Sequence, residues 1–201
     1  MKMIGSLNLA AILILIPAQV AAQAAGSAPQ ALDVKPQPPI LITSCGQSPG
    51  PAMLKALMPK PGVEVELNGL AAAADLKSGK YKTLIIVMGA SLKGMGAAGI
   101  EISDELKRTA ALIAEARNQK MTVIGAHIEG MKRRSQGAAE GDTTDEQSID
   151  AVAPNSDLLL VYKEGDSDNR FTTISNGKKI PMIRFDRYPD LQAELRKLFV
   201  K

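Results

Sequence analysis

The chain has little of several residue types that particular functions need. Its 201 residues include one cysteine, one histidine and no tryptophan, and aromatic residues make up 3%. A single cysteine cannot form an internal disulfide. Scarce aromatic rings remove the stacking surfaces that single-stranded nucleic acid uses, and a net charge of +3 gives no global attraction for a polyanion. We therefore expect no nucleic-acid partner.

The lone histidine, His127, also argues against a metal centre. Only Glu129 lies near it in the sequence, and no ligand spacing such as H-x-x-x-H is present. The favoured interpretation is a hydrogen-bonded histidine at the end of a strand. General acid–base catalysis is the alternative, because an unperturbed imidazole titrates at about pH 6.5. We expect neither a metal nor an organic cofactor.

Residues 1–24 are typical of an export signal, followed by a linker over 25–38 and one domain over 39–201. The apolar centre, Leu9–Ile16, is too short to span a bilayer core of about 30 Å. Ala22–Ala24 has the small-x-small pattern of a signal-peptidase site. Cleavage there predicts a periplasmic or secreted protein that meets a membrane only during export; an uncleaved anchor is the alternative. The linker, rich in Ala, Pro, Gln and Ser, is predicted to be disordered.

Short apolar runs alternate with helix-like segments along the domain. The predicted strands are Ile40–Ser44, Val63–Leu67, Leu84–Met88, Met121–Gly125, Leu158–Tyr162 and Ile180–Phe185. The second alternates polar and apolar residues, as strands toward a sheet edge do, whereas the third is continuously apolar and fits a central strand. The alternation predicts a single three-layer α/β/α domain, Rossmann-like, with a mostly parallel sheet of five or six strands.

Local signals place the helix ends. Ser48 before Pro49 predicts an N-cap followed by proline in the first turn. Ser103 predicts the start of the strongest helix, and Thr143 and Glu146 have the spacing of a capping box. These signals fit helices between successive strands.

Ligands of parallel sheets bind beyond the carboxyl ends of the strands, where four loops are expected to converge: 43–48, 89–99, 127–136 and 163–168. The basic run Lys132–Arg134 is the strongest signal there, because arginine binds carboxylate or phosphate in a bidentate manner. We therefore predict a small anionic ligand at this rim. The candidate contacts are Thr43, Ser44, Gln47, Ser48, Ser91, Lys93, His127, Arg133 and Arg134.

Three other interpretations of these loops stay open. The arginines could pair internally, with Glu129, Asp142 or Asp145. The basic loop, Lys132–Arg134, could instead meet an acidic protein partner, which would make the domain an interaction module. Finally, the chain could be a hydrolase or transferase that uses Ser48 or His127.

Two motifs bear on the enzyme interpretation. Gly46–Gly50 matches the G-x-S-x-G nucleophile elbow, but it follows the first strand, and Pro49 lacks the N–H that an oxyanion hole uses. Gly94–Gly99 matches G-x-G-x-x-G, but it neither follows its strand directly nor opens a predicted helix, so we interpret it as a flexible loop and not as a dinucleotide site. Cys45 is a redox-active thiol or, as we favour, a small buried side chain.

Several segments together resemble a known family. They are Ile40–Ser48, then Thr83–Val87 leading into Gly94–Ile100, and Ile124–Ile128 leading into Arg133 and Arg134. From about Pro38 to its C-terminus the chain is similar to secreted bacterial proteins grouped as a domain of unknown function. The resemblance implies export and a Rossmann-like α/β fold. It implies no reaction and no catalytic residue.

Overall fold

The computed structural model describes residues 34–134 and 143–200. In these residues six strands form one sheet: β1 (Ile40–Cys45), β2 (Val65–Leu67), β3 (Thr83–Met88), β4 (Thr122–His127), β5 (Leu158–Tyr162) and β6 (Met182–Phe185). The helices are α1 (Gly50–Leu57), α2 (Ala73–Leu76), α3 (Leu92–Ala98), α4 (Ile102–Asn118), α5 (Thr144–Val152), α6 (Arg170–Lys178) and α7 (Tyr188–Phe199). The predicted α/β fold with a parallel sheet is confirmed.

The strand order is β2-β1-β3-β4-β5-β6, and every neighbouring pair is parallel. β2 lies at an edge, as its alternating sequence predicts. From β1 the chain moves outward to β2 and then returns to β3 on the other side of β1. The topological switch point, where such sheets bind ligands, therefore lies between the carboxyl ends of β1 and β3.

The sheet is buried on both faces. The first face is covered by α4, α5 and α6, whose Leu112, Ile149 and Phe171 pack with alternate residues of the strands. The second face is covered by α1 and α7 through Leu54 and Leu191. Because successive strand residues point to opposite faces, neighbours in the sequence can lie in separate environments.

The predicted loop over Gly94–Gly99 is wrong, because most of it is helical. Ser91 caps α3 by accepting a hydrogen bond from the Gly94 N–H at 3.1 Å, and Met95 is buried beneath the helix. The helix ends at Gly99, whose left-handed φ of 68° suits glycine. The high glycine content of this segment concealed the helix.

Two predicted caps also differ from the structure, and one is confirmed. Pro49, not Ser48, is the N-cap of α1, and Glu101, not Ser103, is the N-cap of α4. Thr143 does cap α5, where its hydroxyl accepts from the Glu146 N–H at 3.3 Å.

The described domain begins within the predicted linker. Val34 packs against the core of the second face. The N–H of Gln37 donates to the Thr83 hydroxyl at 3.0 Å, and that hydroxyl donates to the Gln37 carbonyl at 2.7 Å. The predicted signal peptide lies outside the described residues. Within them, no helix combines the length and hydrophobicity needed to span a membrane.

Two glycines of α3 give a matched test of how this helix packs. A methyl group on Gly94 would lie 2.1 Å from the Gln47 carbonyl oxygen, whereas one on Gly96 would meet nothing within 4 Å. We expect Gly94→Ala to destabilise the protein by about 1–3 kcal/mol through overpacking. Gly96→Ala should stabilise it by up to about 1 kcal/mol through helix propensity. Urea unfolding midpoints measure the stability of both variants. Equal midpoints would contradict the close packing of Gly94 against the Gln47 carbonyl.

Candidate functional site at the rim of the sheet

Main-chain hydrogen bonds join the loops after β1 and β3 at the switch point. The Ser91 N–H donates to the Gly46 carbonyl at 2.7 Å, and Gln47 forms an isolated bridge with Ala90. Gly46 has a φ of 107°, and a Cβ there would lie 2.6 Å from the Ala90 Cα. The two loops are therefore in direct main-chain contact at the point where other doubly wound domains have a ligand crevice.

Glu105 and Arg108 of α4 form a buried ion pair that hydrogen-bonds to the loop after β1. We call this pair the Glu105–Arg108 brace. The fully buried Glu105 carboxylate accepts from the Gly46 N–H at 2.8 Å and from the Gln47 amide at 2.7 Å. It also accepts from the Arg108 Nε at 2.8 Å. Three donors thus satisfy a carboxylate that would otherwise be costly to bury.

Arg108 extends the brace to neighbouring loops. Its guanidinium donates to the Ser44 carbonyl at 2.5 Å and to the Ala71 carbonyl at 2.6 Å. Neither member of the brace was predicted from the sequence. Their opposite charges at i and i+3 were the available signal, but that spacing is equally typical of exposed helix surfaces.

Three of the predicted ligand contacts serve this internal network. Thr43 is buried and its hydroxyl donates to the Gly69 carbonyl at 3.3 Å. The Ser44 hydroxyl accepts from the Gln47 N–H at 2.8 Å, and the Gln47 amide also donates to the Gly69 carbonyl at 2.9 Å. These side chains stabilise the loop, and we leave them out of the site proposed below.

A second carboxylate, that of Glu129, lies against the start of α1. Its Oε2 accepts from the Gly50 N–H at 3.2 Å, and its Oε1 accepts from the Arg133 Nε at 3.2 Å. The Gly50 N–H is also 3.3 Å from the Ser48 hydroxyl oxygen. We call the groups around this carboxylate, namely Ser48, Gly50 and Arg133, the Glu129 cradle. The Glu129 side chain is 7% exposed, so its carboxylate is largely shielded from solvent.

Arg133 also has contacts that do not involve Glu129. Its guanidinium donates to the Ala90 carbonyl at 3.0 Å. A Cβ on Gly89 would lie 2.9 Å from the Arg133 Cβ, so the arginine side chain packs directly on that glycine. The Ala90 N–H in turn donates to Asp145 at 2.8 Å, and burial raises the pKa of this carboxyl group. The loop after β3 therefore fixes where the Arg133 Nε points.

Arg134 lies apart from Arg133, in the first face of the sheet. Its side chain is 1% exposed and pairs with Glu146 at 2.7 Å and with Asp168 at 2.6 Å. It also donates to the Gly165 carbonyl. Internal pairing was an open alternative in the sequence analysis, and Arg133 does pair with Glu129. The observed partners of Arg134, Glu146 and Asp168, differ from the three predicted partners, Glu129, Asp142 and Asp145. Asp142 lies outside the described residues.

His127 also belongs to the first face. It is fully buried, its Nε2 lies 3.1 Å from the Gly130 carbonyl oxygen, and its ring centroid is 5.0 Å from that of Phe171. Burial lowers the pKa of His127 to about 4, with the charge of Arg134 acting in the same direction.

Ser48 instead lies by Gly50 and Val87 on the second face. The sheet therefore separates the two residues of the enzyme interpretation.

The remaining candidate residues lie on α3 and at the end of β1. Ser91 is the helix cap already described, while Lys93 is exposed and, within the described ranges, forms no ion pair. Cys45 is fully buried, and burial raises its pKa to about 12, so its thiol has the inert environment that we favoured. Residues 34–134 and 143–200 contain no group of three or more His, Cys, Asp or Glu arranged to hold a metal ion.

Comparison with known proteins gives a family and two distant structural similarities. Residues 37–199 match a family described as "Domain of unknown function (DUF6305)". No curated protein matches the chain. An inhibitor-bound crystal structure of the psychrotrophic esterase EstA from Pseudoalteromonas sp. is 11% identical, with a TM-score of 0.31, over 73% of this chain and 76% of the esterase chain.

A crystal structure of TesA is similarly distant, at 12% identity and a TM-score of 0.30, over 71% of this chain and 76% of that chain. At these identities and TM-scores, nothing about a reaction or a ligand follows from either similarity.

The brace can be tested against a second glutamate of the same helix. Glu105→Ala leaves Arg108 and the Gly46 N–H buried without their partner, and breaking a buried pair in this way costs about 3–5 kcal/mol. Glu115→Ala changes the same residue type in α4, where the Glu115 carboxylate accepts from the Gln119 amide at 2.7 Å, and should cost less than about 1 kcal/mol. Denaturant unfolding measures both. Similar decreases in the free energy of unfolding for the two variants would contradict a stabilising role of the Glu105–Arg108 brace.

His127 predicts a specific pH dependence of stability. Its pKa is about 4 in the folded protein and about 6.5 when unfolded, so the unfolded chain binds the proton more readily between these values. Stability should therefore fall by up to about 1.4 kcal/mol per pH unit as the pH drops from 6.5 to 4. His127→Gln should remove this component of the slope in urea titrations. An unchanged slope would contradict a neutral, buried histidine.

Proposed function

The chain belongs to the DUF6305 family, and we propose that its domain is a binding protein for a small anion rather than an enzyme. The proposed site is the Glu129 cradle at the rim beside β1, β3 and β4. Lys93, three residues after Ala90 in the chain, supplies an additional exposed cation. One observation carries the proposal: a carboxylate, that of Glu129, is already bound between an arginine and a helix N-terminus.

The donors of this cradle suit carboxylate or phosphate. The Gly50 N–H lies at the first residue of α1, where the helix dipole favours negative charge. Arg133 supplies a charged donor whose direction is set by Gly89 and Ala90. A donor that is held in position before the ligand arrives loses less entropy on binding. Two independently fixed donors converging on one carboxylate therefore make this the best-supported anion site at the rim.

The same region offers poor support for catalysis by Ser48. A serine nucleophile needs a base within hydrogen-bond reach and free donors for the oxyanion. His127 lies across the sheet, and the Gly46 N–H beside Ser48 is already used by the buried Glu105 carboxylate. Hydrolysis or transfer by Ser48, and an acidic protein partner for the basic loop, are retained as alternatives that the experiment distinguishes.

The proposal places the ligand outside the cytoplasm, because the sequence predicts signal-peptide cleavage after Ala24. N-terminal sequencing of protein exported from its host tests this part separately. A mature protein that begins at or near Ala25 supports it, and an intact Met1 on exported protein contradicts it.

A thermal-shift screen with phosphate, sulfate, succinate and citrate tests the binding site. A ligand at about 100 times its Kd stabilises the folded protein by about 2.7 kcal/mol, which for this chain length raises the Tm by several degrees. Arg133→Ala should abolish the shift. Arg117→Ala is the matched control, because Arg117 pairs with Asp157 on an exposed surface away from the rim, and it should keep the shift.

The other outcomes identify the alternatives. No shift with any of the four anions contradicts the proposed function. Turnover of p-nitrophenyl esters that is lost in Ser48→Ala favours the enzyme. Co-purification of one acidic protein that is lost in Lys132→Ala favours the interaction module.

A further inference from the structure

We infer that Glu129 is a built-in competitor for the anion site, so that a ligand binds only by displacing the chain's own carboxylate. This inference rests on the proposed function and concerns how the same site is regulated. Its basis is that the Gly50 N–H and the Arg133 Nε both contact the Glu129 carboxylate. The donors that an incoming anion needs are therefore occupied in the unliganded protein.

The backbone that carries Glu129 is fixed on both sides. Ile128 is fully buried, and its carbonyl accepts from the Tyr188 hydroxyl at 3.1 Å. Gly130 has a φ of 64°, and a Cβ there would lie 2.9 Å from the Glu164 carboxylate. The backbone therefore keeps the Glu129 carboxylate close to the cradle, and only its side-chain torsions can release it.

The donors would keep their positions if the carboxylate left. Arg133 stays bonded to the Ala90 carbonyl and packed on Gly89. The Gly50 N–H belongs to α1, whose Leu54 is fully buried in the core of the second face. Two occupants can thus use one set of donors, which is the structural requirement for direct competition.

The tether determines which ligands can compete. A group held in the same molecule acts at an effective concentration of about millimolar or more, so a free monocarboxylate, which offers the same two oxygens, should not displace Glu129. Lys132 precedes Arg133 in the chain, Lys93 lies in the first turn of α3 after Ala90, and both are exposed. We expect a ligand with additional anionic oxygens to gain contacts from these lysines. We therefore expect polyvalent small anions, such as phosphates and dicarboxylates, to bind and monocarboxylates to fail.

Replacing Glu129 by alanine removes a group the size of acetate. We expect Glu129→Ala to have a lower Tm than the wild type and to regain Tm with saturation as sodium acetate is added. Acetamide, which has the same shape without the charge, should give no recovery. Glu194→Ala is the control, because it removes a carboxylate that pairs with Lys197 on α7 and lies outside the cradle. Neither that variant nor the wild type should respond to acetate.

Phosphate affinity, measured by isothermal titration calorimetry, tests the competition itself. Glu129→Ala should bind phosphate at least tenfold more tightly than the wild type. Glu129→Gln retains the size of the side chain and removes its charge, so it should also bind more tightly than the wild type, and it serves if the alanine variant fails to fold. Equal phosphate affinity in all three proteins would overturn the competition while leaving the anion site intact. No phosphate binding by any of them would overturn the competition as well, and the proposed function then fails if the thermal-shift screen also finds no stabilising anion.

Discussion

The arrangement of the rim depends on one buried ion pair, formed by Glu105 and Arg108 of α4. The loop after β1 must turn sharply from the sheet into α1, and its N–H and carbonyl groups need partners when they are buried. Glu105 accepts from the N–H of Gly46, and Arg108 donates to the carbonyl of Ser44. A buried pair of this kind seldom adds much stability over apolar packing, but losing one partner is costly. It therefore selects one conformation of the loop, and that conformation sets where Ser48 and Gly50 lie.

The sheet then divides the polar residues near the end of β4 into two groups. His127 and Arg134 point into the first face, where Glu146 and Asp168 neutralise the arginine and Phe171 lies against both residues. Glu129 and Arg133 lie at the rim by the second face. In the sequence these residues form one basic, histidine-containing loop. In the folded protein Arg133 stays at the rim beside Glu129, whereas Arg134 is buried in internal ion pairs.

The sequence is sufficient to predict the scaffold, because most of the strands are short, nearly continuous apolar runs. Leu158–Tyr162 is observed with the predicted bounds, and β2 lies at the edge where its alternation of polar and apolar residues places it. The cap at Thr143 was predictable for a similar reason, since it depends on residues three positions apart. These features are predictable because they depend on residues that are close together in the sequence and not on tertiary contacts.

The parts that could not be predicted depend on tertiary contacts. α3 was hidden by its glycines, one of which is required only because the Gln47 carbonyl approaches it. Glu105 has the polarity of a surface residue, and its burial follows from the loop that folds over it. The neighbours Arg133 and Arg134 diverge because Arg134 is extended after a 3₁₀ turn. No pattern of residue types specified which of the two would remain at the rim.

The central claim is that the Glu129 carboxylate occupies an anion site that an external ligand can take. A crystal structure of the Glu129→Ala protein grown in sodium acetate tests it most directly. The account predicts an acetate whose oxygens lie within about 3 Å of the Arg133 Nε and the Gly50 N–H, with the Arg133 bond to the Ala90 carbonyl unchanged. A structure in which Arg133 has moved away and water or another side chain fills the space would contradict it.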